Sequence, residues 1–372
     1  MNDEEIISSI ALTLIPGIGH IWGKRLVEEI GNATDVFRLR NELPERIPGV
    51  NPKIIEALTS KEAFKRAEQE YLFAQKNHIA CLTFNSEDYP SRLRECEDAP
   101  ILLFFKGTAN LNTYRVINLV GTRHATDYGT QICSSFLQDL KTYCPDLLVV
   151  SGLAYGIDIH AHRNALLNKL PTIGVLAHGL DRIYPSVHRR TAIEMLECGG
   201  LLTEFMSGTT PDRHNFVGRN RIVAGMADAT IVVESAEKGG ALITAEIAES
   251  YGRDCFAFPG GIFAEYSKGC NALIRDNKAA LIGSATDFIQ AMGWECVSNV
   301  QSSEGIQRCL FLDLSPEEQK IGDLLSSRGH LHINTLVVET EIPIQKMNAL
   351  LLGLEMKGVL RVLAGGVYQW IG

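Results

Sequence analysis

Three short segments of the chain combine glycine with cationic or amide side chains in a way that suits the binding of a phosphate group. They are Gly121-Thr122-Arg123, Arg219-Asn220-Arg221 and Lys238-Gly239-Gly240. Glycine lets the backbone come close to a ligand, so that N–H groups can donate to phosphate oxygens, while arginine or lysine supplies positive charge. We take these residues as candidate anion-binding residues, together with Phe216, whose ring can stack on a base.

The arginine-rich segment stands at the predicted start of an apolar helix. Arg219 and Arg221 flank Asn220, so fork-shaped guanidinium donors and the free N–H groups of a helix start could converge on one anion, and a phosphodiester fits this arrangement. An alternative interpretation stays open, in which the arginines form ion pairs with Glu204 and Glu234 at neighbouring strand ends.

The spacing of these segments differs from that of the common nucleotide and metal motifs. The segment after Gly121 is not a GxGxxG fingerprint, and the next predicted strand ends in Ser151-Gly152 without the acid that would bind a ribose. Lys238-Gly239-Gly240 lacks the full spacing of an ATPase phosphate loop. His160 and His162 point apart on a helix and have no third ligand at a suitable spacing. The sequence predicts no catalytic residue, no metal and no cofactor.

The elements that must position these segments are those of an α/β protein. From about residue 76 to 298, short apolar runs alternate with helical stretches, which is typical of βαβ units in a mostly parallel sheet. Ligands of such sheets bind beyond the carboxyl ends of the strands, so we expect the glycine-containing segments to meet there. The predicted strands are 115–121, 147–152, 172–179, 200–205, 230–235 and 255–260.

Residues 1–75 are predicted to form short helices. Pro16-Gly17-Ile18-Gly19 lies between two amphipathic runs and resembles a helix-hairpin-helix, with Lys24 and Arg25 nearby and a second, poorer copy at Ile47-Pro48-Gly49-Val50. Such a hairpin can bind a DNA phosphate through its bare backbone, or it can serve only to pack two helices. Both interpretations stay open.

Residues 299–312 are predicted to be a linker, and residues 313–372 a separate domain. Ser315 and Glu318 form a predicted capping box around Pro316, a further helix follows Pro343, and Gly365-Gly366 is the predicted turn of a hairpin. This order resembles a winged helix. Its seven acids outnumber its five lysines and arginines, which favours protein contacts or packing over duplex recognition.

Composition limits where an anion can bind. The 372 residues carry a formal net charge of −9, so any contact with nucleic acid must come from local basic segments. The nine cysteines are scattered singly, which argues against disulfides and structural zinc. An acidic start and the lack of a long apolar run predict a cytoplasmic protein without membrane contact.

Further motifs follow one another in a characteristic order, and the whole set resembles the DNA processing protein A (DprA/Smf) family. The resemblance covers essentially the whole chain. Departures from the family pattern are Thr122 for serine, Val217 for proline, His188 for asparagine and 277–279 for Asp-Gly-Ala. Besides Gly121-Thr122-Arg123, the matching motifs are 151–162, 179–185, 216–225, 240–244 and 269–274.

The resemblance implies a three-part architecture and a non-enzymatic function. The fold would be a central Rossmann-like sheet over 76–298, with a helix-hairpin-helix (SAM-like) domain over 1–75 and a winged helix over 313–372. The family resemblance implies a homodimer that binds single-stranded DNA, protects incoming DNA and loads a RecA-type recombinase during natural transformation. The alternative is a nucleotide-processing enzyme of the phosphoribohydrolase kind, in which Glu204 or Glu234 would act.

Overall fold

The computed structural model describes residues 2–294, 314–340, 342–357, 359–363 and 367–370. The chain divides into two compact units, Met1–Ser298 and Asn299–Gly372. The predicted linker 299–312 and the predicted turn at Gly365-Gly366 lie outside the described residues. The predicted fold class, an α/β protein with a large, mostly parallel sheet and a winged helix at the carboxyl end, is confirmed.

The larger unit is built on a sheet to which the described residues contribute nine strands, lying in the order β1-β2-β6-β5-β4-β3-β7-β8-β9. β2 runs antiparallel to both of its neighbours, and all pairs from β6 to β9 are parallel. The strands are β1 Ala80–Thr83, β2 Leu102–Gly107, β3 Val116–Val120, β4 Leu148–Ser151, β5 Thr172–Val175, β6 Gly199–Thr203, β7 Ala229–Val232, β8 Asp254–Ala257 and β9 Ala280–Leu281.

All six predicted strands are present as β3 to β8, and each ends earlier than predicted because its last predicted residues already belong to the loop that follows. The sequence-based prediction missed β1, β2 and β9. β1 and β2 form an antiparallel extension of the sheet, outside the βαβ pattern that guided the prediction. β9 has only two residues, which is too short to show a period.

The strand order creates a switch point beside β3. From β3 the chain continues to β4, β5 and β6 on one side, and it returns to the other side of β3 to form β7, β8 and β9. The loops after β3 and β7 therefore leave neighbouring strands toward opposite faces of the sheet, which opens a crevice at their carboxyl ends. Val120 and Val232, the last residues of the two strands, are paired in register.

Helices cover both faces of this sheet. Successive residues of a strand face opposite sides, so each strand contributes to two cores. Val116 and Val120 belong to the core on one face, whereas Ile117 and Leu119 belong to the core on the other. The helices are α1 Asp3–Thr13, α2 His20–Ile30, α3 Ala33–Arg38, α4 Leu43–Arg46, α5 Pro52–Ala57, α6 Lys61–Lys76, α7 Ser91–Arg94, α8 Asp127–Tyr143, α9 Ile157–Leu167, α10 Arg189–Glu197, α11 Arg213–Gly225, α12 Gly240–Ser250, α13 Lys268–Arg275 and α14 Ala285–Ala291.

The helices α1 to α6 share one hydrophobic core with the sheet. Ile10 and Leu26 from these helices belong to the same buried cluster as Leu103 and Val232 from the strands. Residues 1–75, predicted as a separate domain, thus fall within the compact unit of the sheet.

Both predicted glycine hairpins connect helices. Gly17 lies between α1 and α2 with φ +88°, and Gly49 lies between α4 and α5 with φ +90°, a conformation that favours glycine. The Lys24 ammonium, however, donates to the carbonyls of Arg94 and Cys96 at 3.0 and 2.8 Å. Lys24 therefore fastens α2 to the segment before β2, and it is not directed toward a ligand of the first hairpin.

The smaller unit contains three helices and a three-stranded sheet among its described residues, with strand order β10-β12-β11. The predicted capping box is confirmed, since the Ser315 side chain accepts from the backbone of Glu318 and the Glu318 side chain accepts from that of Ser315. The elements are α15 Pro316–Arg328, β10 His330–His332, α16 Ile333–Thr340, α17 Ile344–Met356, β11 Leu360–Leu363 and β12 Val367–Trp370.

Lys346 within α17 and Lys357 at its carboxyl end are paired with acids of α15. Lys346 lies 2.6 Å from Glu317, and Lys357 lies 2.7 Å from Glu318. These pairs reduce the positive potential that a DNA-reading helix needs. No helix within the described ranges is long and apolar enough to cross a membrane.

Candidate nucleic-acid interface

A cleft of about 1070 Å³ lies at the carboxyl ends of β3, β4 and β7, where the strand order predicts a ligand site. Nine of the ten predicted site residues line it, and Arg221 does not. The nine are Gly121, Thr122, Arg123, Phe216, Arg219, Asn220, Lys238, Gly239 and Gly240.

The loop between β3 and α8 is held firmly at its base. A side chain at Gly121 would collide with Ile157, the first residue of α9, so only glycine fits there. The Thr122 N–H donates to the carbonyl of Glu234 at 2.7 Å, and the Thr122 carbonyl accepts from the Ile157 N–H at 3.1 Å. The Thr122 hydroxyl accepts from the His124 N–H at 3.1 Å. These contacts fix the backbone and leave the Arg123 side chain exposed.

Glu234 supports this loop from below. Its carboxylate accepts from the Thr126 N–H at 2.9 Å and from the Thr126 hydroxyl at 2.6 Å, just before α8 begins. The side chain is buried, and it is not among the residues that line the cleft. Glu234, one of the two carboxylates that the enzyme hypothesis takes as catalytic, thus holds the start of α8 in the described structure.

Aromatic rings form one wall of the cleft. The Arg123 guanidinium carbon lies 5.2 Å from the centre of the Phe216 ring, a cation–π distance. The Tyr184 ring lies 6.0 Å from Phe216, tilted by 51°. Tyr184 was not among the predicted site residues, although its position in the 179–185 motif could have indicated it.

The segment Lys238-Gly239-Gly240 connects β7 to α12. Gly239 is the N-cap of α12 and has no side chain to accept from the first-turn N–H groups, so the positive end of the helix is open toward the cleft. The Asn220 amide donates to the Gly240 carbonyl at 3.4 Å, which links α11 to this helix start. Lys238 itself is exposed.

Arg219 lies beneath the cleft. Arg219 is only 4% exposed, and one terminal nitrogen of its guanidinium donates to the Gly152 carbonyl at 2.7 Å and to the carbonyl of Val175. Burial lowers the pKa of Arg219 to about 10, while the nearby Asp158 carboxylate acts in the opposite direction. Burial also raises the pKa of Asp158. The Arg219 guanidinium thus joins the ends of β4 and β5 and places a buried charge under the cleft.

Arg221 points away from the cleft, which corrects the prediction that both arginines converge on one anion. Its guanidinium pairs with the Glu204 carboxylate and donates to the Asp98 carbonyl at 2.5 Å and to His20 at 3.1 Å. Residues two apart on a helix differ by about 200° in direction, so Arg219 and Arg221 cannot share a ligand. For Arg221 the alternative interpretation, an ion pair with Glu204, is confirmed.

The two histidines considered as metal ligands lie in different surroundings. His162 is buried, and its Nδ1 lies 2.7 Å from the Thr172 hydroxyl. Burial lowers the pKa of His162 to about 3, so the ring is neutral near pH 7. His160 is half-buried on the same helix.

The cleft is locally cationic. Among the lining residues four are arginine or lysine and three are aspartate or glutamate, in a chain whose net charge is −9. Arg123, Arg213 and Lys238 are exposed, and the described residues provide no ion-pair partner for any of them. Arg213 was noted in the sequence as part of a basic segment but was not chosen as a site residue.

Glycine loops, an open helix start and unpaired cations at the switch point of a parallel sheet are typical of Rossmann-like proteins that bind anionic ligands. Residues 80–293 match the family described as DNA recombination-mediator protein A, and residues 312–366 match the DprA winged helix domain. The chain belongs to the DprA/Smf family.

Individual relatives support this assignment. The chain is 32% identical to Protein Smf of Synechocystis over 79% of this chain and 74% of the relative. The crystal structure of DNA processing protein A from Streptococcus pneumoniae is similar with a TM-score of 0.56 and 32% identity, covering 74% of this chain and 98% of the other. A second similar structure is that of DNA processing protein A from Helicobacter pylori, which was described for its single-stranded DNA binding mode. Its TM-score is 0.52 at 28% identity, and the match covers 57% of this chain and 95% of the other.

Proposed function

We propose that the chain binds single-stranded DNA in the cleft at the carboxyl ends of β3 and β7 and does not convert it chemically. In this proposal Arg123 and Lys238 neutralise phosphates, and the open start of α12 at Gly239 and Gly240 donates N–H groups to the same backbone. The observation that carries the proposal is the set of unpaired cations beside this helix start, inside a chain that is acidic as a whole.

Phe216 supplies a second kind of contact. Its ring lines the cleft and lies beneath the Arg123 guanidinium, so a base that stacks there lies next to a cation that can bind the adjacent phosphate. Stacking of a base on an aromatic side chain contributes about 1 to 3 kcal/mol and tolerates any base. The proposed binding therefore requires no sequence preference.

The segment Arg219-Asn220-Arg221 contributes in different ways. We propose that Arg219 adds positive potential from beneath the cleft and that Asn220 holds the start of α12 in place through its contact with Gly240. Arg221 contributes to the stability of the fold through its pair with Glu204 and does not contact the DNA in this proposal.

Burial of the two candidate carboxylates supports a function without catalysis. The Glu204 side chain is 7% exposed and paired with Arg221, and Glu234 is 2% exposed and bonded to Thr126. A general base must reach the proton that it removes. Neither carboxylate lines the cleft in which a substrate would lie.

We further propose that the protein is a cytoplasmic homodimer that protects incoming single-stranded DNA and loads a RecA-type recombinase onto it during natural transformation. The support is membership of the DprA/Smf family and the similarity to the Helicobacter pylori protein, whose structure concerns binding of single-stranded DNA.

A gel-shift titration of the full chain with single-stranded and duplex DNA at two salt concentrations tests the binding proposal. We expect tighter binding of the single strand and a loss of affinity with salt, because neutralised phosphates release counterions. Equal affinity for duplex, or no salt dependence, would show the proposal to be wrong. Base release from nucleoside monophosphates under the same conditions would favour the enzyme alternative.

A further inference from the structure

The loop between β8 and α13 exposes the most solvent-accessible large apolar side chain in the described part of the protein. Phe263 is 92% exposed and its neighbour Ile262 is 75% exposed. Exposing the apolar surface of phenylalanine to water is unfavourable, and a ligand that covers this surface gains the free energy of removing it from water.

Hydrogen bonds hold both ends of this loop. On the side of β8, the Asn271 amide donates to the Gly260 carbonyl at 3.0 Å and accepts from the Gly260 N–H at 3.1 Å. On the side of α13, the Tyr266 carbonyl accepts from the Ser235 N–H at 2.6 Å. The tip therefore presents Phe263 from a fixed base.

The base of the loop is part of the cleft. Tyr266 lines the cleft, and its ring stacks on His124 with 6.1 Å between ring centres and an interplanar angle of 30°. Phe263 precedes Tyr266 by three residues, so their Cα atoms are at most about 11 Å apart. Phe263 is thus close to the rim that Tyr266 and His124 form, and it stands on a different element from Phe216.

Charges near the tip favour a base over a phosphate. Glu265 lines the cleft, and its carboxylate repels a phosphate that approaches the loop from inside. Lys268, exposed at the start of α13, can bind a phosphate on the outer side. A DNA strand that leaves the cleft past this loop would therefore have a lower energy with its bases facing the protein than with its phosphates facing it.

We propose that Phe263 is a second base-stacking residue, which binds a nucleobase of the strand after that strand has left the cleft. The inference rests on the proposed binding of single-stranded DNA and extends the binding track beyond Phe216. The occupant is a base of the same strand, because the loop that bears Phe263 also forms part of the wall of the cleft.

The test compares the full-length protein with Phe263→Leu, which keeps apolar bulk without an aromatic face, and with Phe263→Trp, which keeps the face. Affinities are measured by fluorescence anisotropy for oligo-dT of about 5 and about 20 nucleotides and for a long strand with abasic sites. We expect Phe263→Leu to weaken binding of the long oligo-dT by about 5- to 100-fold, with unchanged affinity for the short one. Phe263→Trp should bind like the wild type.

The outcomes separate this inference from the function on which it rests. If the wild type binds neither oligonucleotide, the proposed function fails. If it binds both, and Phe263→Leu binds the long one equally well, only the inference about Phe263 is overturned. An equal loss on the abasic strand, or a changed oligomeric state of Phe263→Leu in light scattering, would also overturn it and would indicate a contact with protein.

Discussion

The guanidinium of Arg123 lies over the ring of Phe216, with 5.2 Å between its central carbon and the ring centre. Arg123 belongs to the loop after β3, and Phe216 belongs to α11, so this contact spans the cleft between two elements that are distant in sequence. It places a phosphate-binding group directly beside a base-stacking group. The proposed recognition of single-stranded DNA depends on this arrangement.

Removal of the Arg123 charge should weaken binding to every single-stranded sequence alike. We expect Arg123→Ala to lower the affinity for oligo-dT and to reduce the log–log salt slope by about 0.7, because one phosphate contact is lost. Arg190→Ala is a matched control, since its side chain is 92% exposed on α10 and outside the cleft. Identical salt slopes in the two variants would contradict the proposed phosphate contact.

Arg221→Ala should show the opposite pattern. It leaves the Glu204 carboxylate buried without its partner, which typically costs about 3 to 5 kcal/mol of unfolding free energy. Because Arg221 does not line the cleft, the folded variant should keep its affinity for oligo-dT. Urea unfolding and anisotropy titrations on the same samples measure both quantities. A large loss of affinity without loss of stability would show that Arg221 binds DNA directly.

Two glycines near the cleft should respond differently to alanine. A Cβ at Gly129 would collide with the Glu234 carboxylate, so Gly129→Ala should displace the start of α8, destabilise the protein and weaken DNA binding. Gly218 in α11 has open space around its Cβ position, and alanine there should raise the unfolding free energy by about 0.5 to 1 kcal/mol. Thermal unfolding checks both signs, and stabilisation by Gly129→Ala would refute the packing described for Glu234.

His162 should make stability depend on pH on the acidic side. Burial lowers its pKa from 6.5 to about 3, so between these values the unfolded chain binds a proton that the folded protein does not. Stability contributed by the neutral ring is present above the unfolded pKa and is lost as the pH falls. This difference in proton binding should lower the unfolding free energy by about 2 kcal/mol between pH 7 and pH 5.

The comparison with His162→Gln isolates this contribution from that of the other histidines. We expect the unfolding free energy of the variant to fall less steeply than that of the wild type over this range, whatever its absolute stability. Equal slopes in denaturant titrations at several pH values would show that His162 is protonated in the folded protein.

Sequence patterns predicted those parts of the site that depend on the local chain. The apolar strands end where glycine and polar residues begin, so the segments at Gly121 and Lys238 could be assigned to one edge of the sheet. Parallel strands in an open sheet leave no other place for the loops after β3 and β7. The capping box at Ser315 was equally predictable, since it depends on residues only three positions apart.

The direction of the arginine side chains in α11 could not be predicted in this way. Arg219 and Arg221 are similar in sequence, but one points beneath the cleft toward Gly152 and the other toward Glu204. These partners lie at the carboxyl ends of β4, β5 and β6, and the helical period sends the two side chains toward different partners. The sequence alone therefore determined the α/β class, the family and the edge of the sheet at which glycine and cations meet. Only the tertiary structure decided which cations are free to bind a ligand and which are bound to protein, because that depends on long-range packing.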